Sequence, residues 1–240
     1  MAAVRRSSNS HSLNNMRAMK AIFFMLGLVV PLVVTAQRNS LIFLGGASQC
    51  TLRGNDIFRA SGPTAGALFG MGYARQIKGG FGLQAQLLNE RRGGALPLIY
   101  TDENGTETGR DEIRYLFDHV SLAIGANYRT PGKVHALTSL SVVPAWLRQG
   151  TVISPQLPGN LGDFVHTDVT DNVWRWGVSA AASAGMGWQF STNFSVSAEV
   201  RYLHGFGNLS NTEFFVNEVI RERTLSGVLG LSYVWFKPKA

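Results

Sequence analysis

Histidine and aspartate are the side chains of this chain whose types could carry hydrolytic chemistry. His204 closes an alternating segment, and His166 lies in a polar stretch with Asp163, Asp168 and Asp171 around it. A hydrolase needs a nucleophile or activated water, a base and an orienting acid within mutual reach. No such set can be assembled from these spacings. His204 shares the parity of Val200 and Tyr202, an apolar face, where a rim histidine reaches toward polar headgroups. The three aspartates lack the ordered Asp-x-Asp-x-Asp-Gly spacing of a calcium loop. The expectation is therefore no catalytic residue, no metal and no cofactor.

A second group of polar residues shares the opposite parity of its segments: Gln84, Gln86, Glu90, His119, Arg175, Glu199 and Arg201. Glu199 and Arg201 sit on one face of one strand, about 7 Å apart along it. Buried charges need partners. If these residues face a common interior, the expected outcome is a hydrogen-bonded plug. The rival outcome is a gated conduit.

What positions them is a set of extended segments. From Trp174 to Phe190 every even residue is apolar: Trp174, Trp176, Val178, Ala180, Ala182, Ala184, Met186, Trp188, Phe190. The odd residues are mostly Gly, Ser and Ala, with Arg175 and Gln189. A period of two belongs to a strand. The run exceeds the roughly 5–6 residues of an ordinary strand and meets the roughly 9–11 that a tilted strand needs to cross a bilayer. Tryptophans at both ends and small aliphatics between them match a lipid-facing stave.

Similar alternation recurs in Leu41–Leu52, Ala67–Ala74, Phe81–Glu90, Leu116–Tyr128, Val134–Arg148, Phe194–Tyr202 and Leu225–Trp235, the first being the least clear. That predicts an all-β fold, an eight-stranded antiparallel transmembrane β-barrel. Short connections (Ile77–Gly80, Arg129–Lys133, Ser191–Asn193) alternate with long ones (Arg53–Gly62, Arg92–Glu112, Gln149–Asn172, Gly207–Arg223). Outer-membrane barrels show this asymmetry, with short periplasmic turns and long extracellular loops. An eight-strand interior is only wide enough for side chains to fill it. Gly and Ser suit that interior and rows of Trp and Phe do not, so Trp174, Trp176, Trp188 and Phe190 read as aromatic girdle. A soluble lipocalin-like barrel would turn its apolar faces inward.

The chain has 240 residues, 27 of them Gly, and a net charge of +7. Arg5, Arg6, Arg17 and Lys20 precede the apolar run Ala21–Ala36, which contains Pro31 and ends Thr35-Ala36. This is the layout of a secretory signal cleaved after Ala36. The expected organisation is a leader over 1–36 and a barrel over 37–240, with Met16 or Met19 as candidate starts. The leader holds four basic residues and no acid, so the remainder carries only +3. Its basic residues form no stripe, which argues against nucleic acid as a partner. Cys50 is the sole cysteine, so an internal disulfide is excluded.

Near the chain end, Gly230, Tyr233 and Trp235 form a Gly-x-x-aromatic-x-aromatic pattern. It resembles the C-terminal signal read by the barrel-assembly machinery, with Val228 where a polar residue is usual and Lys237-Pro238-Lys239-Ala240 following. The segment order adds Gly45-Gly46-Ala47, Tyr115-Leu116 leading Val120-Ser121-Leu122, Arg201-Tyr202 before Gly205, and Leu229-Gly230-Leu231-Ser232-Tyr233. Over about residues 40–236 the chain resembles the PorT-like outer-membrane β-barrel domain family. The resemblance implies the bacterial outer membrane, its lipid as surroundings, and a structural or interaction role with a secretion or envelope partner. It assigns no reaction and no functional residues. The alternatives are a rim enzyme acting on lipid or peptide, a narrow pore, and the soluble binder.

Overall fold

The computed structural model describes residues 38–54, 61–155, 164–209 and 220–235. The expected leader, Asp163 and the four residues after Phe236 lie outside them. The strands are β1 (Arg38–Arg53), β2 (Thr64–Lys78), β3 (Phe81–Thr101), β4 (Glu107–Arg129), β5 (Val134–Pro155), β6 (Phe164–Asp168), β7 (Trp176–Gln189), β8 (Phe194–Gly205) and β9 (Arg221–Val234). Among the described residues one 3-10 turn, Thr170–Asn172, precedes β7.

Every strand pairing is antiparallel. The sheet order β4-β3-β2-β1-β9-β8-β7-β5 closes on itself through a β4–β5 pairing. An even count of staves lets the first and last strands meet antiparallel. β1 pairs with β9 from Ser40↔Val234 to Arg53↔Arg221. β6 stands outside the ring and pairs only with the end of β5. Closure leaves no unpaired edge within the ring, as a backbone in hydrocarbon requires.

The pleat sorts the residues as the alternation predicts. On β7 the even side chains face outward and the odd ones inward. Leu229 is 68% exposed and Leu140 66%, with Phe43, Phe69, Leu87, Met186 and Val200 also exposed. A soluble lipocalin-like barrel would turn a polar face outward, whereas this wall presents an apolar one. Along β9 the apolar column from Leu225 to Tyr233 covers eight steps. At about 3.3 Å per residue and a tilt near 40° that is roughly 20 Å of height. With aromatic rows added at each end it fits the roughly 25 Å band of a membrane barrel.

At the short-turn end the girdle is continuous. Ring centroids are 6.0 Å apart for Trp188–Phe190, 6.1 Å for Phe190–Phe194, 5.0 Å for Phe194–Tyr233, 6.4 Å for Tyr233–Trp235 and 6.0 Å for Trp235–Tyr73. At the other end Trp146 and Trp176 pack across β5 and β7 at 5.0 Å, with Trp174 exposed just before β7. In the C-terminal pattern Tyr233 and Trp235 face out. Gly230 faces in, where a Cβ would meet Ser197 Oγ at 2.5 Å.

Two expectations are corrected. Arg92–Glu112 is not a loop. β3 and β4 continue as a paired hairpin to a turn at 102–106, where the Asp102 carboxylate accepts from the backbone N–H of Asn104 (2.9 Å) and Thr106 (2.8 Å). Gly105 there adopts φ +78°, a conformation glycine tolerates. Likewise β5 runs on to Pro155 and β6 returns beside it, inside the expected connection Gln149–Asn172. β3–β6 thus form a four-stranded sheet beyond the apolar band. β1, the least clear alternation, is regular over its whole length.

Candidate functional site

The candidate site is the barrel interior, and it is layered. Following β3 from the short-turn end, the inward residues are Gln84 and Gln86, then Leu88, then Glu90 and Arg92, then Leu96. β4 repeats the order in reverse chain direction with Asn127, Ala123, then Ser121 and His119, then Phe117 and Tyr115.

The first layer is polar. A cavity of about 90 Å³ is bordered by Ser40, Gln84, Gln86, Asn127, His135 and Glu199. Gln84 Nε2 donates to Ser141 Oγ and Asn127 Nδ2 to Gln84 Oε1, both at 3.4 Å. Ser183 Oγ donates to Glu199 Oε2 at 2.8 Å and pairs with Ser139 Oγ at 2.8 Å. Glycine makes this layer possible. A Cβ on Gly185 would meet Ala198 O at 2.2 Å and Glu199 Cγ at 2.7 Å, so the carboxylate side chain lies where a side chain would otherwise be.

The second layer is an apolar ring with one residue from each stave: Leu44, Leu68, Leu88, Ala123, Val143, Ala181, Leu203 and Val228. Val228, anomalous as a signal residue, is one of these eight. Buried side chains pack at crystal-like density, so the ring constricts the lumen.

The third layer is an ion cluster. Arg92, 2% exposed, bonds Glu90 through Nη2 and donates from Nη1 to Glu222 Oε2 at 2.9 Å. Nη2 also reaches Ser121 Oγ at 3.0 Å, and Ser121 Oγ donates to Glu90 Oε1 at 2.6 Å. His119 Nε2 lies 3.8 Å from Glu222 Oε1, and its Nδ1 is 3.2 Å from Phe117 O. Arg201 sits between this cluster and Glu199, buried, beside a void of about 20 Å³ that also touches Gln84, Gln86 and Ser183. Its Nη2 has no hydrogen-bond partner among the described residues. Such a void has room for one water.

The fourth layer is an apolar cap at the long-loop end, built on Leu52, Leu96, Tyr115, Phe117, Leu147, Val152, Val169, Leu209 and Ile220. The ion cluster therefore lies between two apolar layers.

Of the seven polar residues read from the sequence, Gln84, Gln86, Glu90, His119, Glu199 and Arg201 face this interior. Arg175 does not. It precedes β7, so the pleat does not orient it, and its exposed guanidinium donates to Asp171 Oδ1 at 2.6 Å. Two residues that hold the cluster together, Arg92 and Glu222, lie in segments the sequence reading assigned to loops. Their parity was the available signal: 84-86-88-90-92 on β3 and 222-224-226-228 on β9 are unbroken. The outward charges Arg91, Arg221 and Arg223 mark the edge of the hydrocarbon, and they still belong to β3 and β9.

The candidate hydrolytic groups stay apart from this interior. His166 is exposed on β6, and Asp168 accepts from the Thr170 backbone N–H at 2.8 Å. The Thr170 hydroxyl and that N–H hold the Asp168 carboxyl below its ordinary range. His204 is half-buried on the outer wall between Tyr202 and Phe206, with ring centroids at 6.4 and 5.5 Å.

No protein-family model matches the chain, and no curated protein matches it. Among solved structures it is similar to Ail, the attachment invasion locus protein of Yersinia pestis, at 16% identity and TM-score 0.42, covering 83% of this chain and 99% of that one. It is similar to the outer membrane protein OprG of Pseudomonas aeruginosa at 8% identity and TM-score 0.45, covering 84% and 97%. Neisserial surface protein A is similar at 11% identity and TM-score 0.44, covering 79% and 95%. The barrel itself is established by the chain's own strand pairing.

Proposed function

We propose that the chain is a bacterial outer-membrane protein with a structural or interaction role, an accessory of protein secretion or envelope assembly. It is exported by a signal cleaved after Ala36 and inserted by the barrel-assembly machinery. The observation that carries this reading is the combination of a sealed lumen with a projecting sheet. We read the apolar ring and cap as closing the lumen to solutes, whereas β3–β6 rise beyond the lipid band and offer exposed Phe164 and Val165 at the sheet's end. The sequence resemblance to the PorT-like family supports the secretion setting.

The sealed lumen is tested in planar bilayers with the wild type and Glu199→Leu. Leucine removes the acceptor of Ser183 and one of the two carboxylates whose charge acts on Arg201. A loss of about 1–3 kcal/mol of unfolding free energy is expected, with both proteins electrically silent. A steady conductance in the wild type, or one opened by Glu199→Leu at unchanged stability, would establish a conduit. A photo-cross-linking residue at Phe164 is expected to capture an envelope protein in intact cells, and one at lipid-facing Leu140 to capture none. Equal capture at both sites would remove the interaction role.

A further inference from the structure

The outer wall at the long-loop end carries basic side chains in adjoining rows. Across β8, β9 and β1 the register sets His204 opposite Arg223 and Arg223 opposite Thr51, and one row further out Arg221 opposite Arg53. All of these face outward, on the parity of Tyr202, Leu225 and Leu229. Glu222 lies between the two β9 arginines but points into the lumen, so the pleat withholds its charge from this wall.

Directly opposed like charges are unfavourable in a sheet, and elsewhere on the exterior this chain avoids them. Arg91 is paired with Asp118, Arg110 with Glu107, Arg114 with Glu112 and Arg175 with Asp171. Among the described residues Arg221 and Arg223 form no ion pair or hydrogen bond, and both are exposed. Their height is set by the strand: Leu225 and Tyr202 lie one row nearer the bilayer centre, and Phe206 stands beside His204. The guanidiniums thus begin where the apolar column of β9 ends, at headgroup level.

We infer that this β8–β9–β1 wall binds the phosphate of an anionic lipid in the leaflet on the loop side. Two guanidiniums about 7 Å apart along β9 can each grip phosphate oxygens bidentately, while Leu225 and Tyr202 meet the acyl chains. The bound phosphate supplies the counter-charge that Arg221 and Arg223 lack among the described residues. The inference rests on the membrane placement of the barrel proposed above.

The test uses full-length mature protein in nanodiscs of equimolar phosphatidylglycerol and phosphatidylcholine. Native mass spectrometry reads which lipid the ejected protein retains. The wild type is expected to favour phosphatidylglycerol, and Arg221→Gln/Arg223→Gln to reduce that preference by roughly tenfold or more. Arg110→Gln, which removes a charge from the distant hairpin, should leave it unchanged. Inorganic phosphate at millimolar concentration should not displace the lipid. Heat-shifted migration on a detergent gel checks that each variant is a folded barrel. A folded double variant with wild-type preference, or displacement by inorganic phosphate, overturns the inference and leaves the barrel reading intact. A wild type that does not enter the nanodisc overturns both.

Discussion

Arg92→Met is expected to destabilise the barrel by about 3–5 kcal/mol, the cost of leaving buried carboxylates without their counter-ion. Arg92 is the sole described cation bonded to both Glu90 and Glu222, and all three are buried between the apolar ring and the apolar cap. Unfolding in urea from lipid vesicles measures it. The sharper comparison is Glu90→Leu/Arg92→Met/Glu222→Leu. Replacing a whole buried charge cluster by apolar residues of similar volume is often neutral or stabilising. The triple variant should therefore recover most of what Arg92→Met loses. A triple variant as unstable as the single one would mean that the side-chain volumes, and not the charges, hold this layer.

Ala182→Arg is expected to cost about 2–4 kcal/mol, the penalty of a cation at the bilayer midplane. Ala182 faces outward midway between Trp176 and Trp188, opposite Leu140 on β5 and Tyr202 on β8. Val178→Arg, near the headgroups, should lose much less through its charge, about 0–1 kcal/mol. Ser183→Arg acts by another route. Its side chain would enter the Glu199 layer, where the adjoining void is about 20 Å³ and Arg201 already stands. Overpacking there costs about 1–3 kcal/mol and does not depend on bilayer depth. Equal losses at 178 and 182 would mean that the even face of β7 does not meet lipid.

The staves were legible because a pleat imposes one period on both faces. Large residues at Trp176, Trp188, Phe194 and Tyr233 could only face outward from an interior this narrow. What could not be read was height. Apolar alternation reports the hydrocarbon and stops at the headgroups, so Arg91, Arg221 and Arg223 looked like the start of loops. The strands in fact include all three, held by hydrogen bonding between β3 and β4 and between β9 and β1. The two residues that organise the ion cluster, Arg92 and Glu222, were lost for that reason. Arg175 was misplaced for the converse reason: a parity was extended past the first residue of β7, where no pleat enforces it. The apolar ring was equally hidden. Each stave gives it one residue, and only closure brings Leu44, Val143 and Val228 to one level.

The direct test of the account is a cysteine scan of β7 from Trp176 to Gln189, in a background where buried Cys50 is replaced by serine. Each site carries an environment-sensitive fluorophore, and the protein is refolded into vesicles with and without doxyl-labelled lipid. The account predicts quenching at 178, 180, 182, 184, 186 and 188 and none at 177, 179, 181, 183, 185 and 187. Absence of the alternation, or quenching confined to the odd positions, would contradict a lipid-facing stave.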